Sequence, residues 1–247
     1  MSESKISDNG VESLTCKFAH DLNNLLTPLL TYAPMLRKHL PKRGIALELL
    51  DGIEKSGRDM AHITEQMLIL GSFRAAEAGE RICVNRDVLV EFNRNARERC
   101  IEKEVSFGLG DSVDGMVVAE SRYLYVALDS IFTNALEAVD GRIGGEISMF
   151  VEMRDEPVER MSACGATVDA GKYVAICIGD NGKGLASGIQ DTLFDAFVTT
   201  RKSANRRGAG LGLAVAKKIV HVYGGYLDWC ELDPGTKFVL CLPLSGS

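Results

Sequence analysis

Polar and apolar positions follow two different rhythms along this chain, and the change of rhythm divides it. Within residues 11–71, Phe18, Leu22, Leu25, Leu29, Tyr32 and Leu36 recur at alternating spacings of three and four, as do Ala46, Leu49, Ile53, Ser56, Met60, Ile63, Met67 and Leu70. That spacing predicts two long helices, each with a narrow apolar seam of the coiled-coil or bundle kind. Between them Pro41, Lys42, Arg43 and Gly44 form a polar break, so the helices should fold back as an antiparallel hairpin. Pro28 and Pro34 fall inside the first helix, where each removes an N–H and should kink or weaken it, yet the seam runs through both. A lone hairpin buries little apolar surface, and two copies pairing as a four-helix bundle is the expected remedy.

After Gly79 the segments shorten and alternate in type. Strands are expected at 81–85, 105–108, 115–119, 146–153, 173–179, 226–230 and 237–243, and helices at 87–100, 121–139 and 212–223. Ser121 is the expected N-cap of the middle helix, whose apolar face is Leu124, Leu128, Ile131, Ala135 and Ala138. A polar loop joins 153 to 173, and another loop-rich stretch begins at Asp180. The chain therefore reads as two domains, residues 1–79 and 80–247, the second of α+β class.

Composition narrows the function classes. The chain has 247 residues and a net charge of −6, which argues against a general nucleic-acid binder. No apolar run approaches the roughly 18 residues of a membrane span, and the first residues lack the layout of a signal peptide. The seven cysteines are scattered and form no C-x-x-C pair, so a zinc site or disulfide framework is not expected; a reducing, cytoplasmic setting fits best. The charge is uneven, however. Between Ala196 and Leu227 lie six basic residues (Arg201, Lys202, Arg206, Arg207, Lys217, Lys218) and no acidic ones.

That basic stretch lies between and around two glycine-rich segments. Asp180-Asn181-Gly182-Lys183-Gly184 follows an expected strand, and Gly208-Ala209-Gly210-Leu211-Gly212 opens an expected helix. Small residues at a helix N-terminus let backbone N–H groups approach phosphate oxygens, and the helix dipole adds attraction, so a polyphosphate ligand suits this region. Asn134, in the 121–139 helix, offers an amide oxygen of the hard kind that Mg²⁺ prefers. On the first helix, Asn24, Thr27 and Thr31 fall within about 40° of His20 while Phe18 lies roughly 200° away, so His20 is expected on the polar face. An imidazole beside the carboxylate of Asp21 is a usable nucleophile, because the acid can orient it and take its proton.

Together these segments resemble the transmitter region of sensor histidine kinases, in particular the subgroup whose phosphoacceptor segment reads His-Asp-Phe/Leu-Asn-Asn-Leu-Leu. Here that segment is His20-Asp21-Leu22-Asn23-Asn24-Leu25-Leu26. The asparagine segment around Asn134, residues 180–184, Phe194 to Lys202, residues 208–212 and Gly235-Thr236-Lys237-Phe238 follow in the family's order and span nearly the whole chain. The resemblance implies a dimerising phosphoacceptor hairpin over 1–79 and a Bergerat-type α/β sandwich of the histidine-kinase ATPase type over 80–247. It implies an ATP- and Mg²⁺-dependent autokinase, with His20 as phosphoacceptor, Asp21 as its activating carboxylate and Asn24 positioning a water for dephosphorylating a phospho-aspartate partner. Asn134 would hold Mg²⁺ and Asp180 would accept from the adenine amino group. Gly182, Lys183, Gly184, Gly208, Gly210, Leu211, Gly212 and Thr236 would shape the nucleotide pocket and its lid, with Thr200, Arg201, Lys202, Arg206 and Arg207 near the phosphates. The implied partners are a second copy of the chain and the receiver domain of a separate response regulator. With 19 residues before His20 an input domain is not expected within this sequence, and a separate sensor protein is a further expected partner. Residues 77–81 would be the hinge between hairpin and sandwich.

The chain departs from the family's pattern at Ser130, one turn before Asn134, where another Asn is common; proline also comes at Pro28, with Leu25 in its usual place. Ser130 keeps open a second reading, a phosphorelay or scaffold dimer that does not use ATP. A third is a serine/threonine kinase of the same ATP-binding superfamily.

Overall fold

Two long helices open the chain, α1 (Asp8–Arg37) and α2 (Ile45–Ser72). The computed structural model describes residues 8–41, 44–74, 79–156, 158–199 and 209–246, with side chains described for Lys17 and from Asp21 onward. α1 runs through both Pro28 and Pro34 without interruption. The helices are antiparallel. Arg37 at the end of α1 reaches Glu54 on α2 at 2.9 Å and also pairs with Asp51, and Arg58 approaches Glu54 at 3.6 Å. Farther along, a Cβ on Gly57 would lie 3.1 Å from Leu30 Cδ2, so only glycine permits this approach of the two helices without displacing the leucine.

The apolar seam corrects the sequence expectation. Leu25, Leu29, Tyr32 and Leu36 on α1, and Leu49, Ile53, Met60 and Ile63 on α2, are exposed, with Leu25 at 71% and Leu49 at 64%. Along most of the hairpin the residues buried within the chain sit one position later, Leu26 and Ala33 on α1 and Leu50, Glu54, Gly57 and Thr64 on α2; toward the end of α2 they sit one position earlier, at Gln66 and Ile69. One residue is a rotation of about 100°, so each helix carries two adjacent edges. One edge closes the hairpin and the other faces outward. A 3/4 alternation identifies an apolar edge without saying which neighbour covers it.

The rest of the chain is α+β. Strand β1 (Glu80–Cys83) ends earlier than expected, because the Asp87 carboxylate accepts the Cys83 N–H at 2.7 Å and starts a π-turn at Asn85–Leu89. That turn runs into α3 (Val90–Glu102), followed by β2 (Ser106–Ser112) and β3 (Met116–Ala119). Next is α4 (Ser121–Ala138), whose buried face is Leu124, Ala127, Leu128, Ile131 and Ala135. Its N-cap is Glu120 and not Ser121, and no side chain caps it. Strand β4 (Glu146–Glu156), the two short strands β5 (Arg160–Met161) and β6 (Thr167–Val168), and β7 (Gly171–Asp180) come next. Helix α5 (Gly212–Val222) and strands β8 (Tyr226–Leu232) and β9 (Gly235–Pro243) complete the order.

Five strands form one mixed sheet in the order β2-β4-β7-β9-β8, with β2 parallel to β4 and all other pairs antiparallel. β1 and β3 pair separately. β7 is nearly all buried, as expected of a strand at the centre of its sheet. α3, α4 and α5 pack on this sheet.

The loop expected between 153 and 173 contains the β5–β6 hairpin, which ties β4 to the edge strand β8. Arg160 pairs with Glu156 at 2.9 Å and with Asp228 at 2.7 Å, and lies over the Tyr226 ring. Asp228 also accepts the Ala163 N–H at 2.7 Å, so the hairpin covers part of an otherwise open sheet edge.

The chain divides into two compact units, residues 1–73 with 201–211 and residues 74–200 with 212–247. Of the expected hinge, 77–81, residues 77 and 78 lie outside the described residues. Among the described residues no helix is long and apolar enough to cross a membrane.

Candidate functional site

The sequence-predicted residues divide between the two units, with Asn134, Asp180, Gly182, Lys183, Gly184, Gly212 and Thr236 in the second and Gly210 and Leu211 grouped with the first. His20, Asp21 and Asn24 lie on α1, where Asp21, Asn24, Thr27 and Thr31 are all exposed, as the polar face requires. The Thr27 and Thr31 hydroxyls donate to the carbonyls of Asn23 and Thr27, both at 2.7 Å, so they are engaged with their own helix. The His20 side chain lies outside the described residues.

The second set converges at the C-terminal half of α4. Ser130, Asn134 and Ala138 are spaced by four, so they form one row along the helix, about 12 Å from end to end. Each end of the row meets a glycine. At one end, a Cβ on Gly212, the first residue of α5, would lie 3.6 Å from the Ser130 Cβ. At the other, a Cβ on Gly182 would lie 2.6 Å from the Ala138 carbonyl, a distance that excludes any side chain. Asn134, half-buried, sits between the two glycine segments.

Beside Gly182 is Asp180, the last residue of β7 and only 4% exposed. Its Oδ1 accepts the Gly182 N–H at 2.8 Å, and the Thr236 N–H donates to the same carboxylate. Burial pushes the carboxyl upward from its ordinary value, while these two donors pull it back. Thr236 lies directly opposite Asp180 in the β7–β9 ladder and is itself buried. Gly235, next to it, has φ +116°, and a Cβ there would fall 1.8 Å from the Asp180 carbonyl oxygen. Gly184 adopts φ +70°, with open space on most sides. The result is a buried carboxylate flanked by Gly182 and Gly235, with α4 packed against Gly182.

Gly210 has φ +69°, Leu211 is buried, and Gly212 opens α5, whose first N–H groups are free of helical partners by geometry. Lys183 is exposed. Thr200, Arg201, Lys202, Arg206, Arg207 and Gly208 lie outside the described residues.

The donor set suits a hydrated Mg²⁺ carried on a polyphosphate: one amide oxygen, Asn134, on the row that Gly212, the first residue of α5, meets at Ser130. Among the described residues no group of three or more His, Cys, Asp or Glu side chains could hold a metal by itself. Ser130 is 4% exposed and its hydroxyl donates to the Val126 carbonyl at 2.9 Å, so the proton side of that group is occupied within the helix. A separate cleft of about 380 Å³, lined by residues including Asp87, Glu91 and Tyr125, lies toward the opposite end of α4.

Two contributors were missed in the sequence. Gly235 was visible only as part of a motif, and its need for glycine comes from the strand placed beside it. Asn181 stands out in the sequence only as part of the 180–184 segment, yet its side chain bonds Gly144 in the turn after α4 and Glu146 at the start of β4.

Comparison with known proteins bears on the family and the fold. The family model described as "Histidine kinase-, DNA gyrase B-, and HSP90-like ATPase" matches residues 119–246. The sensory histidine kinase/phosphatase NtrB of Rhizobium leguminosarum is 34% identical over 116 residues, 47% of this chain and 29% of that protein. The C4-dicarboxylate transport sensor protein DctB of Rhizobium meliloti is 26% identical over 230 residues, 91% of this chain and 33% of that protein. The chain thus spans about a third of the length of these curated relatives. Among solved structures, full-length ShkA in complex with AMPPNP superposes with a TM-score of 0.70 at 17% identity, covering 96% of this chain and 47% of that one. At that identity the likeness concerns the fold.

Proposed function

The chain belongs to the histidine kinase-, DNA gyrase B- and HSP90-like ATPase family, and from that premise we propose that it is an ATP-dependent histidine autokinase of a two-component system. The observation that carries the reading is the row Ser130–Asn134–Ala138, met by Gly212 at one end and Gly182 at the other, with buried Asp180 alongside. A nucleotide at this arrangement would have its adenine amino group toward Asp180 and its phosphates toward the start of α5. Asn134 would hold Mg²⁺, which neutralises charge on the phosphates during transfer.

His20 is the proposed acceptor. A ring nitrogen forms the new bond to the γ-phosphorus, the bond from that phosphorus to the bridging oxygen breaks, and ADP leaves. Asp21 orients the ring and takes its proton. From phospho-His20 the phosphoryl group would pass to an aspartate of a separate response-regulator receiver, and Asn24 would position the water that hydrolyses that phospho-aspartate, releasing inorganic phosphate. The relatives that are named sensory kinases support this class of partner. The outward apolar edge of the hairpin, with Leu25, Tyr32 and Leu49, supports a second copy of the chain as the dimer partner in a four-helix bundle.

Incubation with γ-labelled ATP and Mg²⁺ tests the reading. An acid-labile label on the wild type that disappears in His20→Ala is expected. No label on the wild type would refute the kinase, and label persisting in His20→Ala would refute the acceptor.

The engaged, buried hydroxyl of Ser130 favours a second reading, a phosphorelay or scaffold dimer without ATP use. Calorimetry separates the two, since a scaffold would show no Mg²⁺-dependent ATP affinity.

A further inference from the structure

We infer that Asn181 is a positioning residue for the nucleotide recess: its side-chain amide clamps the turn after α4 and thereby sets α4 against the segment that begins at Asp180. The inference rests on the nucleotide reading above. Asn181 Oδ1 accepts the Glu146 N–H at 2.8 Å, its Nδ2 donates to the Gly144 carbonyl at 2.9 Å, and its own N–H donates to the Glu146 carbonyl at 3.1 Å. One residue therefore makes three hydrogen bonds to the end of that turn, one at Gly144 and two at Glu146, the first residue of β4 that follows it.

The turn is the direct continuation of α4. It closes through Arg142 N–H to the Val139 carbonyl at 3.0 Å and Gly145 N–H to the Arg142 carbonyl at 3.1 Å. Holding the turn holds the last residues of the helix. On the other side of the clamp, Gly182 rests on Ala138 and the Lys183 N–H donates to the Ala138 carbonyl at 3.4 Å. Asn181 thus lies between the carboxylate that would receive adenine and the glycine that fixes the recess wall. Without the clamp, the contact between residues 182–183 and α4 would depend on one long hydrogen bond and on packing.

The chemistry calls for an amide. The two partners are an N–H and a carbonyl on the same turn, so the side chain must accept with one atom and donate with the other. A carboxylate would place an anionic oxygen against the Gly144 carbonyl, and an alanine would leave both groups without this partner. Asn181 touches neither the phosphates nor His20, so its effect should fall on binding and not on the chemical step.

The experiment uses the full chain and four proteins: wild type, Asn181→Ala, Asn181→Asp and Lys103→Ala. The last removes the Lys103–Asp140 pair at 2.8 Å, which ties the same turn to α3 from the opposite side. ATP with Mg²⁺ is titrated calorimetrically, and autophosphorylation is measured against ATP concentration. Asn181→Ala should raise Kd and KM for ATP about tenfold, the factor carried by about 1.4 kcal/mol, with the maximal rate within about twofold of wild type. Asn181→Asp should shift them in the same direction, and Lys103→Ala should leave both within about twofold. Amide exchange at Gly182 and Lys183 in the nucleotide-free protein should accelerate in Asn181→Ala.

Wild-type affinity in Asn181→Ala, or a fall in Tm with Kd and KM unchanged, would overturn the inference. If Asn181→Ala does not fold, Asn181→Asp, which keeps the acceptor, carries the same measurements. A wild type that bound no ATP would instead overturn the kinase reading, and unchanged exchange at Gly182 and Lys183 would still overturn the clamp.

Discussion

Gly182 rests so closely on Ala138 that a Cβ at position 182 would lie 2.6 Å from the Ala138 carbonyl oxygen. Both partners are backbone, with no flexible side chain to move aside. Gly182→Ala should therefore push the 180–184 segment off α4. We expect a loss of about 1–3 kcal/mol in unfolding free energy, the range for overpacking, together with weakened ATP binding. Denaturant unfolding and calorimetry check the two effects separately.

Asp180 should separate stability from binding. Its folded-state carboxyl is raised by burial, so its contribution to stability is fully present below the ordinary carboxylate range and is lost as pH rises through the raised value. Once the carboxyl ionises, the buried charge is a burden on the fold. Asp180→Asn should accordingly leave unfolding at pH 7 within about 1 kcal/mol of wild type or improve it, while ATP affinity falls at least about tenfold. A variant that lost stability but kept affinity would contradict the assignment of Asp180 to the nucleotide.

Acid stability should depend on Arg160. The Arg160 guanidinium, with the Tyr226 hydroxyl, holds the Glu156 carboxyl down at about 2 from its ordinary 4.5. The folded value is the lower one, so this stability is present above 4.5 and is lost as pH falls from about 4.5 toward 2. Arg160→Ala should cost about 2 kcal/mol at pH 7 and flatten the unfolding curve between those values. Thermal melts across that pH range read the difference.

The two edges of the hairpin should respond differently. Leu49→Asp, on the exposed edge, should dissociate a dimer and leave the helical signal of the isolated chain intact. Leu50→Asp, on the buried edge, should unfold the hairpin by several kcal/mol, because it buries an unpaired charge. Sedimentation and circular dichroism distinguish these outcomes. Dissociation by neither variant would contradict the proposed bundle.

Ser130 offers a test of packing against ligation. Ser130→Ala removes only an intrahelical hydrogen bond and should change stability by under about 0.5 kcal/mol. Ser130→Asn, which restores the residue common in the family, should cost about 1–3 kcal/mol, because the larger side chain must fit against Gly212.

Much of the site was legible along the chain because its parts are local. A strand ending in Asp180-Asn181-Gly182, a helix carrying Asn134 and a glycine-rich entry to α5 each announce themselves by residue type and spacing. The β5–β6 hairpin was not legible, since its strands are only two residues long and depend on Arg160 reaching Asp228, 68 residues away. The end of β1 at Cys83 was missed for a similar reason, an Asp87 carboxylate capturing one N–H.

By itself the sequence determined the helix pair, the α+β class of the chain beyond it and the residue types from which a nucleotide recess can be built, because periodicity and glycine placement act over a few neighbouring residues. Tertiary structure alone decided which apolar edge of the hairpin is covered within the chain, why Gly182 and Gly235 admit no side chain, and that Asn134 lies between two glycine segments. Those are distances between residues remote in the chain, set by how strands pair and helices pack. The same holds for Asn181: the letter is plain in the sequence, but the turn it clamps reaches it only through the β4–β7 ladder.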